Sequence, residues 1–273
     1  MQEVSPWSLH DLQRQIAYDR LLQRLYLASE DWILKGAAAL LAREIAVRAT
    51  LDIDLYRHSS LSAAETDLRA AAALDIGDWF RFDFGKREIT GDGAGLRLRA
   101  TATIGATVWS EFHVDLVGPD IQMTGEPDNV RPLVGVNTAE LPQRTYWAYP
   151  VADHVADKIA AILERHGTQA RPSTRYKDLV DLVAIITGVR IAADAQLLAL
   201  RSEANRRTLR LPARFMVLDR QLWERGYAAE ARRSLLREAN SLDEALMLVS
   251  PFVDALLQGT ARGTWEPNER AWQ

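Results

Sequence analysis

The chain has 273 residues, of which 48% are hydrophobic and 26% charged, a balance that argues against disorder and predicts one large or two adjoining globular domains. It contains no cysteine, which excludes disulfides and thiolate metal sites. The sequence has no apolar run of the roughly 18 residues that a membrane span requires, and no signal-peptide pattern, so we expect a cytoplasmic protein without a membrane partner.

The first part of the sequence mixes helical and strand patterns. An apolar stripe predicts a helix from Ser8 to Ser29, and residues 31–36 predict a buried strand that ends in a turn at Gly36. An alanine- and leucine-rich segment, Ala37 to Val47, predicts a second helix. The alternating residues 51–55 then predict a half-buried strand.

Strand and helix patterns continue up to about Pro150. Residues 62–65 form a capping-box pattern that predicts a helix to about Leu74. Residues 96–100 and 112–116 predict strands, and the glycines of 91–95 predict a turn before the first of these. Residues 118–150 predict an irregular connector.

Beyond Pro150 the patterns are helical. The predicted helices cover residues 153–165, 174–187, 192–208, 218–237 and 241–257. The predicted fold is therefore mixed α/β (α+β), with a small mixed sheet in residues 1–150. Residues 151–273 are expected to form a helical region that completes a cleft beside the sheet.

Two carboxylates lie close together on the strand at 51–55. Because successive side chains of a strand point to opposite faces, Asp52 and Asp54 share a face, with Cα atoms about 6.6 Å apart. Their mutual repulsion favours a bound divalent cation, and Mg²⁺ is typically held by one or two carboxylates together with substrate phosphates. The alternative is an acidic strand face that is merely exposed to solvent.

Neighbouring residues favour a phosphate and metal site. Lys35 and Gly36 end the preceding strand, where a glycine allows backbone amides to approach a phosphate. Arg48 and Thr50 precede the acidic strand and could contact phosphate oxygens. Asp115 occupies a solvent-face position on a later strand and could supply a third carboxylate. His113 shares that face, but a single histidine is more often packed or solvated than catalytic.

A second group of charged residues lies in the helical region. Asp178 and Asp181 are three residues apart, so they share a helix face, and Thr174 is a candidate N-cap. The simplest explanation is a surface pair between Lys177 and Asp181, worth a few tenths of a kcal/mol at about 25 °C. Lys158 could likewise be an ordinary exposed lysine.

Two blocks of the sequence resemble a known family. Leu34-Lys35-Gly36-Ala37-Ala38 followed by Arg48-Ala49-Thr50-Leu51-Asp52-Ile53-Asp54 resembles the glycine turn and D-x-D strand of polymerase-β-like nucleotidyltransferases, and more narrowly the AbiEii toxin family. Lys158 followed by Arg175-Tyr176-Lys177-Asp178-Leu179-Val180-Asp181-Leu182 resembles the second signature of that family. Ala37 and Ala38 replace a glycine and a hydroxyl residue of the pattern, which removes a side-chain bond but leaves the backbone amides.

The resemblance implies a Mg²⁺-dependent nucleotidyltransferase toxin of a toxin–antitoxin system, with an NTP as substrate and a cognate antitoxin as partner. Asp52 and Asp54 would bind the metal. Asp115 or Asp52 would accept the proton of the acceptor hydroxyl; the third acid varies within the family, so Asp115 rests on its strand position. The implied catalytic residues also include Lys158, Asp178 and Asp181. The implied nucleotide-binding residues are Lys35, Gly36, Arg48, Thr50, Lys158, Arg175 and Lys177. The acceptor implied by the resemblance is an RNA, first of all a tRNA 3′ end, whose modification would block translation.

Positive charge is concentrated near the end of the chain. Residues 201–237 contain ten arginines and four acids, a charge of +6, whereas the whole chain carries −4 and the remainder therefore −10. Arg206, Arg207 and Arg210 cluster at a predicted helix end and are candidate contacts for RNA phosphates. The alternative is a set of solvated arginine-rich helices.

Two other functions remain open at this point. The same site could transfer a nucleotide to a protein hydroxyl. Alternatively, the chain could be a non-catalytic nucleic-acid-binding or antitoxin-type module that uses its arginine-rich segment. The sequence does not identify the nucleotide, the acceptor, the antitoxin or the oligomeric state.

Overall fold

The computed structural model describes residues 5–90, 94–134, 143–167 and 169–273. Residues 91–93 of the predicted turn at 91–95 lie outside the described residues. The chain forms two compact units. Unit 1 comprises Met1–Glu44, Ala49–Gln122 and Pro127–Tyr149, and unit 2 comprises Ile45–Arg48, Met123–Glu126 and Pro150–Gln273.

Unit 1 is built on a mixed sheet. Its helices are α1 (Leu9–Ala28), α2 (Gly36–Ala42) and α3 (Leu61–Ala72). Its strands are β1 (Ile33–Lys35), β2 (Asp52–Tyr56), β3 (Phe80–Thr90), β4 (Gly95–Ile104), β5 (Thr107–Val117), β6 (Asp128–Val130) and β7 (Tyr146–Ala148). Within the described residues the seven strands follow the order β3-β4-β5-β2-β1-β7-β6. The β2–β5 and β1–β7 pairs are parallel and the others are antiparallel.

One face of this sheet is apolar and packs against α1 and α3. Ile53, Leu55 and Val114 are fully buried there, within one hydrophobic cluster that includes residues of both helices. Because side chains alternate along each strand, the residues between these apolar ones lie on the opposite face of the sheet. The packing of one face therefore assigns Asp52, Asp54 and Asp115 to the other.

Unit 2 is mainly helical. Its helices are α4 (Val151–Leu163), α5 (Tyr176–Gly188), α6 (Ala193–Arg206), α7 (Arg220–Arg232) and α8 (Leu242–Leu257). Its strands are β8 (Arg165–His166), β9 (Arg171–Pro172), β10 (Ile191–Ala192), β11 (Thr264–Glu266) and β12 (Ala271–Trp272). Trp223 and Trp265 are buried in this unit, where Trp265 donates to the carbonyl of Ile186.

Two short segments from the first half of the chain belong to unit 2. Residues 123–126 are held by Asp153, whose carboxylate accepts hydrogen bonds from the backbone of Thr124 and Gly125. Residues 45–48 are held by the side chain of Arg48 and by the Val47 carbonyl, which accepts from Leu235. The predicted helix from Ala37 to Val47 therefore ends early, at Ala42, and Glu44 has a positive φ of 60°.

Several predicted helix boundaries are confirmed and two caps were wrong. Ser8 caps α1, and Ser241 forms a complete capping box for α8. The capping box predicted at residues 62–65 is wrong, because Ser60 is the N-cap that accepts from the Ala63 amide. The predicted cap at Thr174 is also wrong: Arg175 occupies the N-cap position of α5 and makes no side-chain capping bond.

Candidate functional site

The acidic pair lies on the polar face of β2. Asp52 and Asp54 are partly exposed, whereas Ile53 and Leu55 between and after them are fully buried. This confirms the alternation predicted for the strand. Leu51, which the alternation of residues 51–55 puts on the same face as Ile53 and Leu55, lies before β2 and is 57% exposed. The two carboxylates therefore share a surface on which neither faces the hydrophobic core.

Gly36 packs its backbone directly against Asp54. Strand β1 is antiparallel to β2, and Lys35 is the register partner of Asp54. Gly36 follows with a φ of +59°, and a Cβ atom added there would lie 1.8 Å from the Asp54 Oδ2 atom. Both the left-handed conformation and the lack of space require glycine at this position. The turn thus fixes the position of the Asp54 carboxylate.

Asp115 joins the same row of residues. Strand β5 runs parallel to β2, with Asp115 opposite Asp54 and His113 opposite Asp52. The Nδ1 atom of His113 is 3.1 Å from the Asp52 Oδ1 atom, so this histidine does contact the acidic pair. Asp52, Asp54 and Asp115 therefore lie close together on neighbouring strands, as the sequence predicted.

Arg97 on β4 is a residue of this site that the sequence did not reveal. Its Nε and Nη2 atoms donate to the two carboxylate oxygens of Asp115, at 2.7 and 2.6 Å. Nη2 also lies 3.6 Å from Asp52 Oδ1. The bonds to Asp115, opposed by partial burial, raise the pKa of the Arg97 guanidinium above its ordinary value. Only the antiparallel pairing of β4 with β5 brings these residues together, and the sequence pattern does not define that register.

Lys35 and Thr50 flank the acidic pair. Lys35 is 6% exposed, and its Nζ atom lies 4.0 Å from the centre of the Tyr149 ring in a cation–π contact. The Thr50 hydroxyl donates to the carbonyl of Asp52 and accepts from its amide, at 3.0 and 3.2 Å. Thr50 therefore holds the turn that leads into β2. Contacts of either residue with a nucleotide remain predictions.

The donor set of Asp52 and Asp54 fits a magnesium ion. Both are hard carboxylate ligands on one strand face, and two such ligands suffice where substrate phosphates supply further oxygens. Both oxygens of Asp115 already accept from Arg97. The described part of the chain holds no group of three or more acidic, histidine or cysteine side chains arranged around a common metal position.

Unit 2 contains a second cluster, around Asp181. Lys158 donates from Nζ to Asp178 and Asp181 at 3.0 and 2.7 Å, and Arg48 donates to both oxygens of Asp181 at 2.8 and 2.7 Å. Lys158 is 5% exposed and Asp181 1% exposed. The surface explanations for Lys158 and for a Lys177–Asp181 pair are therefore wrong. Arg175 and Lys177 are exposed.

The charges of this cluster stabilise one another. Burial alone would lower the pKa of Lys158, but Asp178 and Asp181 outweigh it and raise that pKa above its ordinary value. Burial alone would raise the pKa of Asp181, but Lys158 and Arg48 outweigh it, and the pKa is lowered. Both groups are therefore charged at neutral pH.

The three arginines predicted to contact RNA differ in their surroundings. Arg207 forms ion pairs with Asp157, Glu164 and Glu203, and Arg206 pairs with Glu203. Arg210 lies beyond the end of α6 and is exposed. The positive charge of Arg207 is thus largely balanced within unit 2, and the predicted RNA contact depends most on Arg210.

A family model decides the class of protein. The model described as the nucleotidyl transferase AbiEii toxin of type IV toxin–antitoxin systems matches residues 20–248 of this chain. The chain belongs to the AbiEii family. Membership makes it a nucleotidyltransferase, an enzyme with an NTP substrate, and implies an antitoxin partner. The non-catalytic alternative is thereby set aside.

Two solved structures are similar to this AbiEii protein, and the fold is inferred from MenT4 alone. MenT4, a nucleotidyltransferase toxin from Mycobacterium tuberculosis, is 17% identical with a TM-score of 0.51, and the match covers 93% of this chain and 97% of that one. JHP933 from Helicobacter pylori is 14% identical with a TM-score of 0.48, covering 90% and 91%. No curated protein sequence matches significantly. The likeness to MenT4 confirms the predicted mixed α/β class. Among the described residues, no helix has the length and apolar character to cross a membrane.

We predict that Gly36→Ala abolishes nucleotide transfer and lowers the free energy of unfolding by about 1–2 kcal/mol for the left-handed non-glycine residue and by about 1–3 kcal/mol more for the displaced Asp54 side chain. The added Cβ displaces the Asp54 carboxylate, which lies 1.8 Å from its position. Urea denaturation and NTP turnover measure the two effects. Gly105→Ala is the matched control, because Gly105 has the same φ of +59° with no atom within 4 Å of the added Cβ. Equal turnover in the two variants would contradict the role of Gly36.

We predict that Asp181→Asn lowers the free energy of unfolding by about 3–5 kcal/mol, because it leaves the buried Lys158 and the Arg48 guanidinium without their shared carboxylate. Asp178→Asn removes one hydrogen bond from a more exposed acid and is expected to cost less. Since the folded-state pKa of Asp181 is lowered, its contribution is complete above about pH 4 and is lost as the pH falls through the folded-state value. The deficit of Asp181→Asn should therefore shrink on acidification, and a deficit that does not change with pH would refute this assignment.

Proposed function

We propose that this AbiEii protein transfers a nucleoside monophosphate from an NTP to an RNA, with Mg²⁺ bound at Asp52 and Asp54. A tRNA 3′ end is the first candidate acceptor. The observation that carries the proposal is the pair of carboxylates on one face of β2, with one of them packed against the Gly36 backbone. A carboxylate held this rigidly needs little reorganisation when a substrate binds.

The bound metal would supply positive charge to the triphosphate. The residues of the chain would do the remaining work. Asp52 and Asp54 hold the ion, and Thr50 keeps the turn before them closed. Of the two predicted proton acceptors for the attacking hydroxyl, Asp52 is favoured, because both oxygens of Asp115 accept from Arg97.

The cluster around Asp181 is proposed to neutralise triphosphate charge. Two of the three N–H donors of Lys158 are used by Asp178 and Asp181, which leaves one for a phosphate oxygen. Arg48 is held in a fixed orientation by its paired bonds to Asp181. The two acids would thus position both cations, and Asp178 and Asp181 would act through them.

An RNA acceptor is favoured over a protein hydroxyl by the charge of residues 201–237. This stretch carries +6 in a chain of net charge −4. Arg201, Arg210 and Arg214 are exposed within it. Exposed arginines suit a polyphosphate backbone, whose binding depends on such contacts and weakens with salt.

We predict that Asp52→Ala abolishes transfer and leaves the fold intact, because removal of one of two repelling carboxylates costs the metal site rather than the core. Melting temperature and NTP turnover measure this. Glu111→Gln is the control, since Glu111 is an exposed acid on β5 that pairs with Arg99. Wild-type turnover by Asp52→Ala would refute the proposed site.

We predict that label from one or more α-labelled NTPs enters RNA when the protein is incubated with total cellular RNA. The assay uses each NTP separately, with and without RNA and with and without EDTA, and the products are separated into RNA and protein. Label in RNA that requires both wild-type Asp52 and free Mg²⁺ is the expected result. Label in protein alone would favour the protein acceptor, and RNA labelling in EDTA would exclude the metal requirement.

A further inference from the structure

The register of the sheet aligns four charged residues in one row. Arg97 on β4 is opposite Asp115 on β5, Asp115 is opposite Asp54 on β2, and Asp54 is opposite Lys35 on β1. Neighbouring strands are about 4.8 Å apart, so each residue of the row is within reach of the next. Two carboxylates are therefore flanked by two cationic residues across the polar face of unit 1.

The Arg97 guanidinium engages Asp115 completely. Its Nε and Nη2 atoms donate to the two oxygens of Asp115 at 2.7 and 2.6 Å, the two-pronged geometry in which arginine recognises a carboxylate. Nη2 also lies 3.6 Å from Asp52 Oδ1. A single fixed cation thus occupies Asp115 and contacts one of the two proposed metal ligands.

We propose that Arg97 is a positioning residue that restricts the acidic centre to one divalent cation, by withholding Asp115 from metal and supplying the charge of a second cation itself. This inference rests on the proposed function, in which Asp52 and Asp54 bind the metal. Asp52, Asp54, Asp115, Arg97 and Lys35 together carry a net charge of −1, so after one divalent ion has bound, a second would meet positive charge. Without Arg97 the same residues carry −2, and Asp115 is free to bind a second ion.

Arg97 and Asp115 are partly exposed, so Arg97 can be replaced without unfolding the protein. The side chains of Arg97 and Asp115 are 35% and 19% exposed. Ion pairs near the surface contribute little to stability, so removal of Arg97 is expected to leave the protein folded. A purely structural role of Arg97 predicts no change in the number of metal ions bound.

The experiment counts Mn²⁺ ions bound to the full-length protein without nucleotide, from the electron paramagnetic resonance signal of the free ion. One Mn²⁺ per chain is expected for wild type and two for Arg97→Gln. Arg99→Gln is the matched control, because Arg99 is the next arginine on the same face of β4 and pairs with Glu111. It loses the same charge and is expected to bind one ion. The double variant Arg97→Gln/Asp115→Asn should also return to one.

The outcomes separate the inference from the proposed function. One Mn²⁺ in both wild type and Arg97→Gln, lost in Asp52→Ala, overturns the role of Arg97 and leaves the proposed site standing. Wild-type binding that does not depend on Asp52 overturns both. No binding to wild type or to Arg97→Gln overturns the role of Arg97 alone, because substrate phosphates complete the ligand set of the proposed site. If Arg97→Gln has a lowered melting temperature, Arg97→Lys replaces it, since lysine keeps the charge but lacks the fork. Two ions in Arg97→Lys show that withholding Asp115 is what excludes the second ion and support the inference. Arg97→Met, which removes both the charge and the fork, is then counted as well, and one ion in Arg97→Met overturns the inference.

Discussion

The close packing of the Gly36 backbone against the Asp54 carboxylate organises the candidate site of unit 1. Gly36 directly follows β1, which pairs antiparallel with the strand that carries Asp54, and the two residues are so close that no side chain fits at residue 36. This contact fixes where β1 ends and α2 begins, and holds Asp54 against the turn. Once Asp54 is placed, the parallel pairing of β2 with β5 places Asp115 beside it, and the pairing of β5 with β4 adds Arg97.

The second constraint is that the negative charge of the acidic side chains must be balanced. The site acids of unit 1 are partly exposed, whereas Asp181 of unit 2 is buried. In unit 1 the acids are partly exposed on a sheet face, where Arg97 compensates one of them and a divalent cation is proposed to compensate the other two. In unit 2 Asp181 is buried and shared between Lys158 and Arg48. A buried carboxylate of this kind is tolerable only with partners, which explains why α4, α5 and residues 45–48 converge on it.

Much of the fold and part of the site follow from local sequence patterns. Strict alternation in residues 51–55 and 112–116 predicted which acids face away from the core, because a strand has only two faces. A helix cap depends on only one or two side chains, so nearby serines are hard to tell apart in a sequence. Ser60, and not Ser62, is the N-cap of α3. The early end of α2 was not predictable from composition, since residues 45–48 leave the helix for contacts within unit 2.

Residues whose role depends on contacts between distant parts of the chain could not be predicted from the sequence pattern. Arg97 belongs to the site only through the register of two long strands, and the buried state of Lys158 depends on how α4 packs against α5. From sequence alone, an arginine in a strand or a lysine in a helix is interpreted as an ordinary surface residue, because its partners are not yet known. The family resemblance indicated Lys158 but not Arg97.

The proposal that Asp52 and Asp54 bind the metal is tested most directly by locating it. A crystal of the protein with Mn²⁺ and a non-hydrolysable α,β-methylene NTP analogue, measured at the manganese absorption edge, gives the ion position from its anomalous scattering. The account predicts a peak within about 2.0–2.3 Å of oxygens from both Asp52 and Asp54, with analogue phosphate oxygens completing the ligands. A fully bound analogue whose metal ion contacts neither carboxylate would contradict it.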